Sequence, residues 1–314
     1  MRRKLDDLHD RENQRCWDAA VMLPGESDLR TSMKRELSEY TGLTFEQIET
    51  RYASAKIDSA KEWGERQCEN DASVQTFYHE YSDYIFEVAS LDSPYRRLDS
   101  VLDVLAWARV NGGRELLDYG AGIGTTALYF HARGMDVTLA DISTPLQELS
   151  RWRFERRGWP TKFIDLKQEP LPQSAYDFVI SFDVFEHLYH PWQHLKTLSD
   201  AIKPGGLLFI EAPFGVDRDN PLHIVKDTRV LDLAPMLGLQ AENCSPYRLL
   251  TESGFFVLRS GQTWGVPRLL AILVGWIRYG LKRVKNGPQL MRTGPRRPKG
   301  EKSIRRVPLD SRHP

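Results

Sequence analysis

The sequence predicts an α/β protein with a mostly parallel seven-stranded sheet, helices on both faces, an N-terminal helical extension and a C-terminal basic helix and tail. Three observations predict this class. Strand-like and helix-like segments alternate from about residue 115 to 260, the first strand runs into a glycine-rich turn, and the residues before it show helical periodicity with capping signals. With 314 residues, the chain can form one sizeable domain with additions.

The N-terminal part divides into two segments. Residues 1–25 carry many charges without apolar periodicity, so we expect them to be disordered. Residues 26–110 are expected to form a helical cap over a ligand pocket. Its first helix follows Ser27, and its second begins at Thr44 in a Thr-Phe-Glu-Gln capping box, with Gly42 between the two helices.

Aromatic residues are concentrated in the segment from residue 74 to 110, which ends in an amphipathic helix. Such residues are more often buried between helices than exposed in a ligand pocket. Both interpretations stay open for six of them: Phe77, Tyr78, Tyr81, Tyr84, Phe86 and Tyr95.

Residues 111–262 are expected to form the domain that holds the sheet. Helices are predicted at about 124–133, 145–157, 191–202 and 228–237. The strands are predicted at 115–119, 136–140, 162–165, 176–182, 207–212, 240–247 and 255–259.

Composition excludes several classes of protein. Apolar residues make up 41% and charged residues 27%, which is ordinary for a globular protein. Cys16, Cys68 and Cys244 are scattered, so neither a disulfide framework nor a cysteine metal site is indicated. The N-terminus lacks the apolar run of a secretory signal. We therefore expect a cytoplasmic protein.

The net charge of zero hides an asymmetry between the tail and the rest of the chain. Residues 261–314 contain 13 Lys and Arg against 2 Asp and Glu, a net charge of +11, so the remainder carries −11. The segment 263–314 is expected to form an amphipathic helix and a basic tail.

The apolar run within that tail, residues 269–277, has about half the length that a bilayer span requires. Three roles stay open for residues 264–285: peripheral contact with the inner face of the membrane, docking on the domain itself, or a homodimer contact.

The turn after the first strand contains alternate glycines, in LLDYGAGIGTTA. Gly120, Gly122 and Gly124 permit positive φ and a close approach of the backbone to a ligand, and the helix that follows favours an electron-rich partner. Asp141 ends the next strand about 20 residues later, where a ribose-binding carboxylate is expected. The spacing GxGxG, rather than GxGxxG, favours a nucleoside without a pyrophosphate.

Four segments extend this pattern: LLDYGAGIG, VTLADIS, YDFVISFDVFEHL and AIKPGGLLFIEAPF. In order and spacing they resemble the class I S-adenosylmethionine-dependent methyltransferases. They are most similar to the small-molecule branch, in which the fourth strand runs into (E/D)xxEH and the fifth follows a KPGG turn. The resemblance covers about residues 115–260 and implies a Rossmann-like fold, S-adenosylmethionine as cofactor and methyl transfer as the activity.

The resemblance also implies which residues bind the cofactor. Gly120, Gly122 and Gly124 would contact its methionine portion and sugar, and Asp118 would order the ammonium end. Asp141 would accept hydrogen bonds from the two ribose hydroxyls.

The remaining cofactor contacts follow the second, third and fourth strands. Ile142 would pack on the adenine, and Asp165 with Leu166 would meet its amino edge. Phe182 and Asp183 would lie beside the sulfonium.

Two histidines are candidates for a general base, because imidazole titrates near neutral pH. His187 follows the fourth strand at the expected pocket mouth, and His223 lies in a loop after the fifth strand. For each, a hydrogen bond within its own loop is an equally good interpretation. We expect His190 and His194 on a helix surface.

Two other functions use the same segments. The first is a metal-assisted RNA 3′-terminal 2′-O-methyltransferase, whose metal site resembles the set Asp183, Glu186, His187 and His223. Against it, residues 1–260 carry a net charge of −11, which is a poor surface for RNA. A NAD-dependent Rossmann oxidoreductase or epimerase is the second alternative, against which the glycine spacing and the absence of a YxxxK pair argue.

The sequence thus predicts an S-adenosylmethionine-dependent methyltransferase acting on a small-molecule or lipid-linked acceptor, more readily at oxygen than at carbon or nitrogen. The helical cap would supply much of the acceptor pocket. No residue is assigned to a metal, and nucleic acid is not an expected partner.

Overall fold

The computed structural model describes residues 2–92, 97–214, 220–225, 228–242 and 255–261. The predicted amphipathic helix and basic tail, including the segment 264–285, lie outside the described residues. Within the described part of the chain, no helix is both long enough and apolar enough to cross a membrane.

A seven-stranded sheet forms the centre of the molecule, with the strand order β3-β2-β1-β4-β5-β7-β6. Strands β1 to β5 pair in parallel, and β7 runs antiparallel to both β5 and β6. The predicted mostly parallel sheet is confirmed. Its strands are β1 Glu115–Tyr119, β2 Asp136–Asp141, β3 Lys162–Asp165, β4 Tyr176–Phe182, β5 Ile202–Glu211, β6 Leu239–Ala241 and β7 Phe255–Ser260.

Two strands differ from their predicted bounds. Strand β5 begins at Ile202 rather than at residue 207, because Ile202 already pairs with Tyr176 of β4, before a register shift after which Leu207 pairs with Phe178. Strand β6 is short, and residues 243–247 of its predicted extent lie outside the described residues.

Alternate residues of the central strands face opposite sides of the sheet. Leu116 of β1 and Phe178 of β4 belong to one buried cluster, whereas Leu117 and Val179 belong to another. This two-residue period places an apolar layer on each face, and both layers are covered by helices. The helices are α1 Arg2–Val21, α2 Leu29–Thr41, α3 Phe45–Glu65, α4 Asp71–Glu80, α5 Tyr84–Asp92, α6 Leu98–Asn111, α7 Thr125–Ala132, α8 Thr144–Arg156 and α9 Pro191–Ala201.

The expectation of disorder over residues 1–25 is wrong for the described residues, because helix α1 occupies Arg2–Val21. Trp17, Ala20 and Val21 are buried, and the Trp17 ring lies 5.2 Å from that of Tyr129. Their spacing of i, i+3 and i+4 is an apolar helical stripe too short to stand out among the surrounding charges.

Local signals set the ends of α2 and α3 as expected. The Thr44 side chain accepts from the Gln47 N–H while the Gln47 side chain accepts from the Thr44 N–H, which completes a capping box. Gly42 ends α2 with φ of 73°. By contrast, the helix predicted at 228–237 is a 3₁₀ helix, and it contains Pro235.

The N-terminal helices are fastened to the sheet domain by a buried ion pair. Glu36 of α2 accepts a 2.9 Å hydrogen bond from Arg153 of α8, and Arg157 lies 2.7 Å from the same carboxylate. The Arg153 guanidinium also donates to the Ile123 carbonyl and the Thr125 hydroxyl, each at 2.8 Å. The cap is therefore joined directly to the turn that follows β1.

Candidate functional site

The turn after β1 adopts a conformation that requires glycine at three positions. Gly120, Gly122 and Gly124 have φ of 74°, 55° and 76°. A Cβ on Gly120 would lie 2.3 Å from Val184, and one on Gly124 would lie 2.3 Å from the Ser150 hydroxyl. Gly122 is different, since its Cβ would meet nothing closer than 3.4 Å. Of the three, only Gly122 has room for a Cβ, which would be in ordinary contact with Val88.

Asp141 at the end of β2 holds this turn in place. One oxygen of its carboxylate accepts from the Gly122 N–H and the other from the Ser143 N–H, both at 2.8 Å. Burial raises the pKa of Asp141 despite these backbone hydrogen bonds, which favour the charged form. The Ile142 N–H is a third backbone donor to this carboxylate, which has about four acceptor sites in all and so can still accept from a ligand.

A cavity of about 950 Å³ lies over the carboxyl ends of the strands, where ligands bind in open α/β sheets. This size suits a nucleoside with room for a second ligand. Ten of the residues assigned from the sequence line it: Asp118, Gly120, Gly122, Asp141, Ile142, Leu166, Phe182, Asp183, His187 and His223.

Gly124 and Asp165 are not among the residues that line the cavity. Gly124 serves the close contact between the turn and α8 described above. The Asp165 carboxylate accepts from the Lys167 N–H at 3.0 Å and from the Gln168 side chain at 2.7 Å. These contacts shape the turn after β3 that presents Leu166 to the cavity.

The end of β4 is held by an arginine from the N-terminal region. Asp183 has a positive φ of 50°, and its N–H donates to the Glu211 carbonyl at 2.7 Å. Its carboxylate pairs with Arg97, whose guanidinium lies 5.5 Å from the centroid of the Phe182 ring. Sequence reasoning missed Arg97, because 86 residues separate it from Asp183 and no local motif marks it.

His187 lies in the cavity in a defined tautomer. Its Nδ1 is 2.9 Å from the Leu222 carbonyl oxygen, which only accepts, so Nδ1 carries the proton. The lone pair is therefore on Nε2, 3.9 Å from Glu186. Burial, assisted by the neighbouring His223, lowers the pKa of His187 to about 4, so the ring is neutral at pH 7.

Glu186, His187 and His223 meet closely enough to bind a cation. One ligand atom from each lies within 4.8 Å of the other two, and the two imidazole rings are 4.9 Å apart and nearly perpendicular. Asp183, the fourth member of the metal-site alternative, instead pairs with Arg97. The donor set of two imidazoles and one carboxylate is typical of transition-metal sites.

His194 is not the surface residue that the sequence suggested. Its Nδ1 lies 2.6 Å from the hydroxyl of Tyr119, and both residues line the cavity. Burial lowers the pKa of His194. Tyr119, the large residue that precedes the glycine turn, thus has a hydrogen-bond partner on α9. His190 is exposed, as expected.

Helices α4 and α5 form another part of the cavity wall. Tyr78 and Tyr84 line the cavity, whereas Phe77 and Phe86 are buried in the cap, so the aromatic segment serves both of its proposed roles. The Tyr78 hydroxyl lies 3.1 Å from His187 Nδ1. Sequence reasoning missed Glu87, a buried carboxylate of α5 in the same wall.

Comparison with known proteins gives a match to a family model. The model, described as a methyltransferase domain, matches residues 91–256, which is more than half of the chain. A solved structure of a Burkholderia thailandensis 1,6-didemethyltoxoflavin-N1-methyltransferase with bound 1,6-didemethyltoxoflavin and S-adenosylhomocysteine aligns with 61% of this chain and 89% of that chain. The sequence identity is 15% and the TM-score 0.46.

Curated relatives match over shorter stretches. The tuberculostearic acid methyltransferase UfaA1 of Mycobacterium tuberculosis is 31% identical over 37% of this chain and 27% of its own length. The ubiquinone/menaquinone biosynthesis C-methyltransferase UbiE of Laribacter hongkongensis is 30% identical over 48% and 63%. A ubiquinone biosynthesis O-methyltransferase of Photorhabdus laumondii is 30% identical over 31% and 42%. The chain thus spans less than two thirds of the length of each.

These findings set aside the nicotinamide-dependent alternative, because the matched family and its named relatives are methyltransferases. The match covers the strands whose ends surround the cavity, including the glycine turn and Asp141. The chain therefore belongs to the methyltransferase-domain family, and its matched segment is a class I S-adenosylmethionine-dependent methyltransferase domain.

Proposed function

We propose that this enzyme methylates an oxygen atom of a small-molecule or lipid-linked acceptor. The observation that carries the proposal is His187, which lies in the cavity with Nδ1 committed to the Leu222 carbonyl and its lone pair on Nε2. A hydroxyl acceptor must lose a proton as the methyl group arrives, whereas a neutral amine already presents a free lone pair to the methyl group.

The proposed cofactor site uses the residues assigned from the sequence. Asp141 accepts the ribose hydroxyls, and Gly120, Gly122 and Asp118 face the methionine portion. Gly124 contributes through the shape of the turn. The adenine would lie against Ile142 and Leu166, at the turn that Asp165 shapes, and Phe182 and Asp183 would lie beside the sulfonium. The position of Asp141 and Gly122 in the cavity wall supports this placement.

The chemistry demands little of the protein beyond alignment and proton removal. S-adenosylmethionine supplies a methyl group on a sulfonium that leaves as a neutral thioether. His187 Nε2 accepts the hydroxyl proton as the oxygen–methyl bond forms, and the Glu186 carboxylate at 3.9 Å stabilises the resulting imidazolium. His223, whose ring lies 4.9 Å away, is the other candidate for this proton.

The acceptor class is inferred from the wall of the cavity. The side of the cavity that the cap forms carries several apolar and aromatic residues: Val74, Tyr78, Tyr84, Val88 and Leu91. These side chains favour an acceptor with an apolar or aromatic body. Relatives named for ubiquinone biosynthesis and tuberculostearic acid have acceptors of this character, which supports the proposal.

The experiment is methyl transfer from labelled S-adenosylmethionine to a panel of phenols, hydroxy lipids, amines and activated carbon acids, with products identified by mass spectrometry. We expect methyl ethers among the products. Replacing His187 with glutamine is expected to lower kcat by about 10²–10⁴ while cofactor binding is unchanged, because the variant loses only the base.

His190→Gln is the matched control, since it removes an exposed histidine three positions along the chain. It should keep wild-type kcat. Products methylated only at carbon or nitrogen would contradict the choice of oxygen, and wild-type kcat in His187→Gln would remove its role as a base.

The cluster of Glu186, His187 and His223 favours a second candidate, metal-assisted 2′-O-methylation of an RNA 3′ end. These residues would hold a divalent cation that polarises the terminal hydroxyls. If so, dialysis against EDTA should abolish transfer to RNA oligonucleotides, and added Mn²⁺ or Zn²⁺ should restore it. Transfer to small phenols that persists in EDTA would contradict this candidate.

A further inference from the structure

Glu87 on α5 is a buried carboxylate that the proposed chemistry does not use. Glu87 is only 4% exposed, yet it lines the cavity, as Tyr84 and Val88 of the same helix do. Among the described residues, none donates a hydrogen bond to its Oε2 atom. A carboxylate oxygen held in this way is costly for the protein unless a ligand supplies the missing donor.

The groups around Glu87 do not remove this cost. Lys56 of α3 also lines the cavity but is exposed, and it forms no ion pair with Glu87. Tyr78 and Tyr84 are partly buried beside it. Burial raises their pKa values, and the Glu87 charge adds to the rise. Burial likewise raises the pKa of Glu87, against the opposing effects of a hydrogen bond with the Ser59 hydroxyl and of the Lys56 ammonium.

The position of Glu87 indicates which ligand it faces. Its neighbour Val88 lies next to Gly122, where the cofactor is placed, since the Val88 side chain would be 3.4 Å from a Cβ on that glycine. Tyr78, also beside Glu87, contacts His187, the proposed base. Glu87 thus belongs to the side of the cavity from which the acceptor reaches both the base and the methyl group.

We propose that Glu87 binds a hydrogen-bond donor of the acceptor, an amine or a hydroxyl separate from the methylated oxygen, and so determines which acceptors fit. This deepens the proposed function and rests on it, since the ligand that faces Glu87 is a methyl acceptor. The acceptor then has an apolar or aromatic body with a donor group at the end that enters the cap. The ammonium of the cofactor is the other source of such a donor, and the experiment separates the two.

The test measures binding rather than turnover, so it does not depend on methyl transfer. Protein saturated with S-adenosylhomocysteine is titrated with three phenols of nearly equal shape: tyramine, tyrosol and 4-propylphenol. Their chains end in an ammonium, a hydroxyl and a methyl group. We expect tyramine to bind about tenfold more tightly than 4-propylphenol, with tyrosol between them, and Glu87→Gln to remove the preference for tyramine.

Asp71→Asn is the matched control. Asp71 also lines the cavity, but its carboxylate accepts a 2.9 Å hydrogen bond from Gln75, so this variant removes a charge that already has a partner. It should keep the preference for tyramine. The proposal is overturned if the wild-type protein does not prefer tyramine, if the preference survives in Glu87→Gln, or if Glu87→Gln weakens binding of S-adenosylhomocysteine tenfold.

A second measurement distinguishes a ligand-binding role from a structural one. Because the folded protein raises the pKa of Glu87, its charged form destabilises the fold above that pKa, and the effect disappears below the unfolded pKa. Glu87→Gln should therefore melt about 2 °C higher than wild type at pH 8 in the absence of ligands, and the difference should shrink near pH 4. A lower melting temperature at pH 8 would indicate a structural partner and overturn the proposal.

Discussion

Replacing Asp141 with alanine is expected to weaken binding of S-adenosylmethionine more than tenfold. The carboxylate is the proposed acceptor for both ribose hydroxyls, and it also holds the Gly122 and Ser143 N–H groups at 2.8 Å. Hydrogen bonds to a charged group contribute about 1.5–3 kcal/mol each, and 1.4 kcal/mol corresponds to tenfold in affinity. Calorimetric titration of the variant with S-adenosylmethionine measures the loss.

Asp136→Ala provides the control for this variant, because it removes an exposed carboxylate from the start of the same strand. It should bind the cofactor as the wild-type protein does. Asp141→Asn adds a second comparison, since the amide keeps the shape of the side chain but has one acceptor oxygen instead of two. Wild-type affinity in Asp141→Ala would show that the ribose lies elsewhere.

Replacing Glu36 with glutamine is expected to destabilise the protein by about 3–5 kcal/mol. Glu36 is 1% exposed and neutralises two arginines of α8, Arg153 at 2.9 Å and Arg157 at 2.7 Å. Burial and the Arg153 charge already lower the pKa of Arg157, and the Glu36 charge opposes them. Without that carboxylate, two guanidinium groups are left together in the interior. Urea unfolding at pH 7 measures the change.

Glu39→Gln is a closely matched control on the same helix. Glu39 pairs with Arg156 of α8 at 2.7 Å, but both side chains are about one third exposed, and exposed pairs contribute less than about 1 kcal/mol. The two substitutions remove the same charge from the same pair of helices and differ in burial. Equal losses of stability would show that the cap does not depend on the buried pair.

The Glu36 variant also tests how the cap is joined to the cofactor site. Arg153 donates to the Ile123 carbonyl within the glycine turn and to Thr125 at the start of α7. A sequence with helical periodicity predicts the cap but not this connection, because residues 36 and 153 are far apart along the chain. Only the folded chain shows that one arginine serves both the cap and the turn.

The sequence alone determined the sheet and the central part of the candidate site. Residues from 118 to 141 belong to one strand-turn-helix-strand unit, in which positive φ at Gly122 and the carboxylate of Asp141 are set by local spacing. The capping box at Thr44 was also predictable, since its partners are three residues apart. Such features depend on backbone conformation and short-range hydrogen bonds, which a sequence pattern records directly.

Tertiary structure decided the features that join distant segments. Three such contacts depend on how helices and loops pack across the sheet. They are the ion pair of Arg97 with Asp183, the hydrogen bond between Tyr119 and His194, and the ring contact of His187 with His223. The weak apolar stripe of helix α1 did not predict a helix by itself. Only the folded chain shows the surface that buries Trp17. The sequence contains these residues but not their distances, because long-range contacts arise from packing of the whole chain and leave no periodic signal.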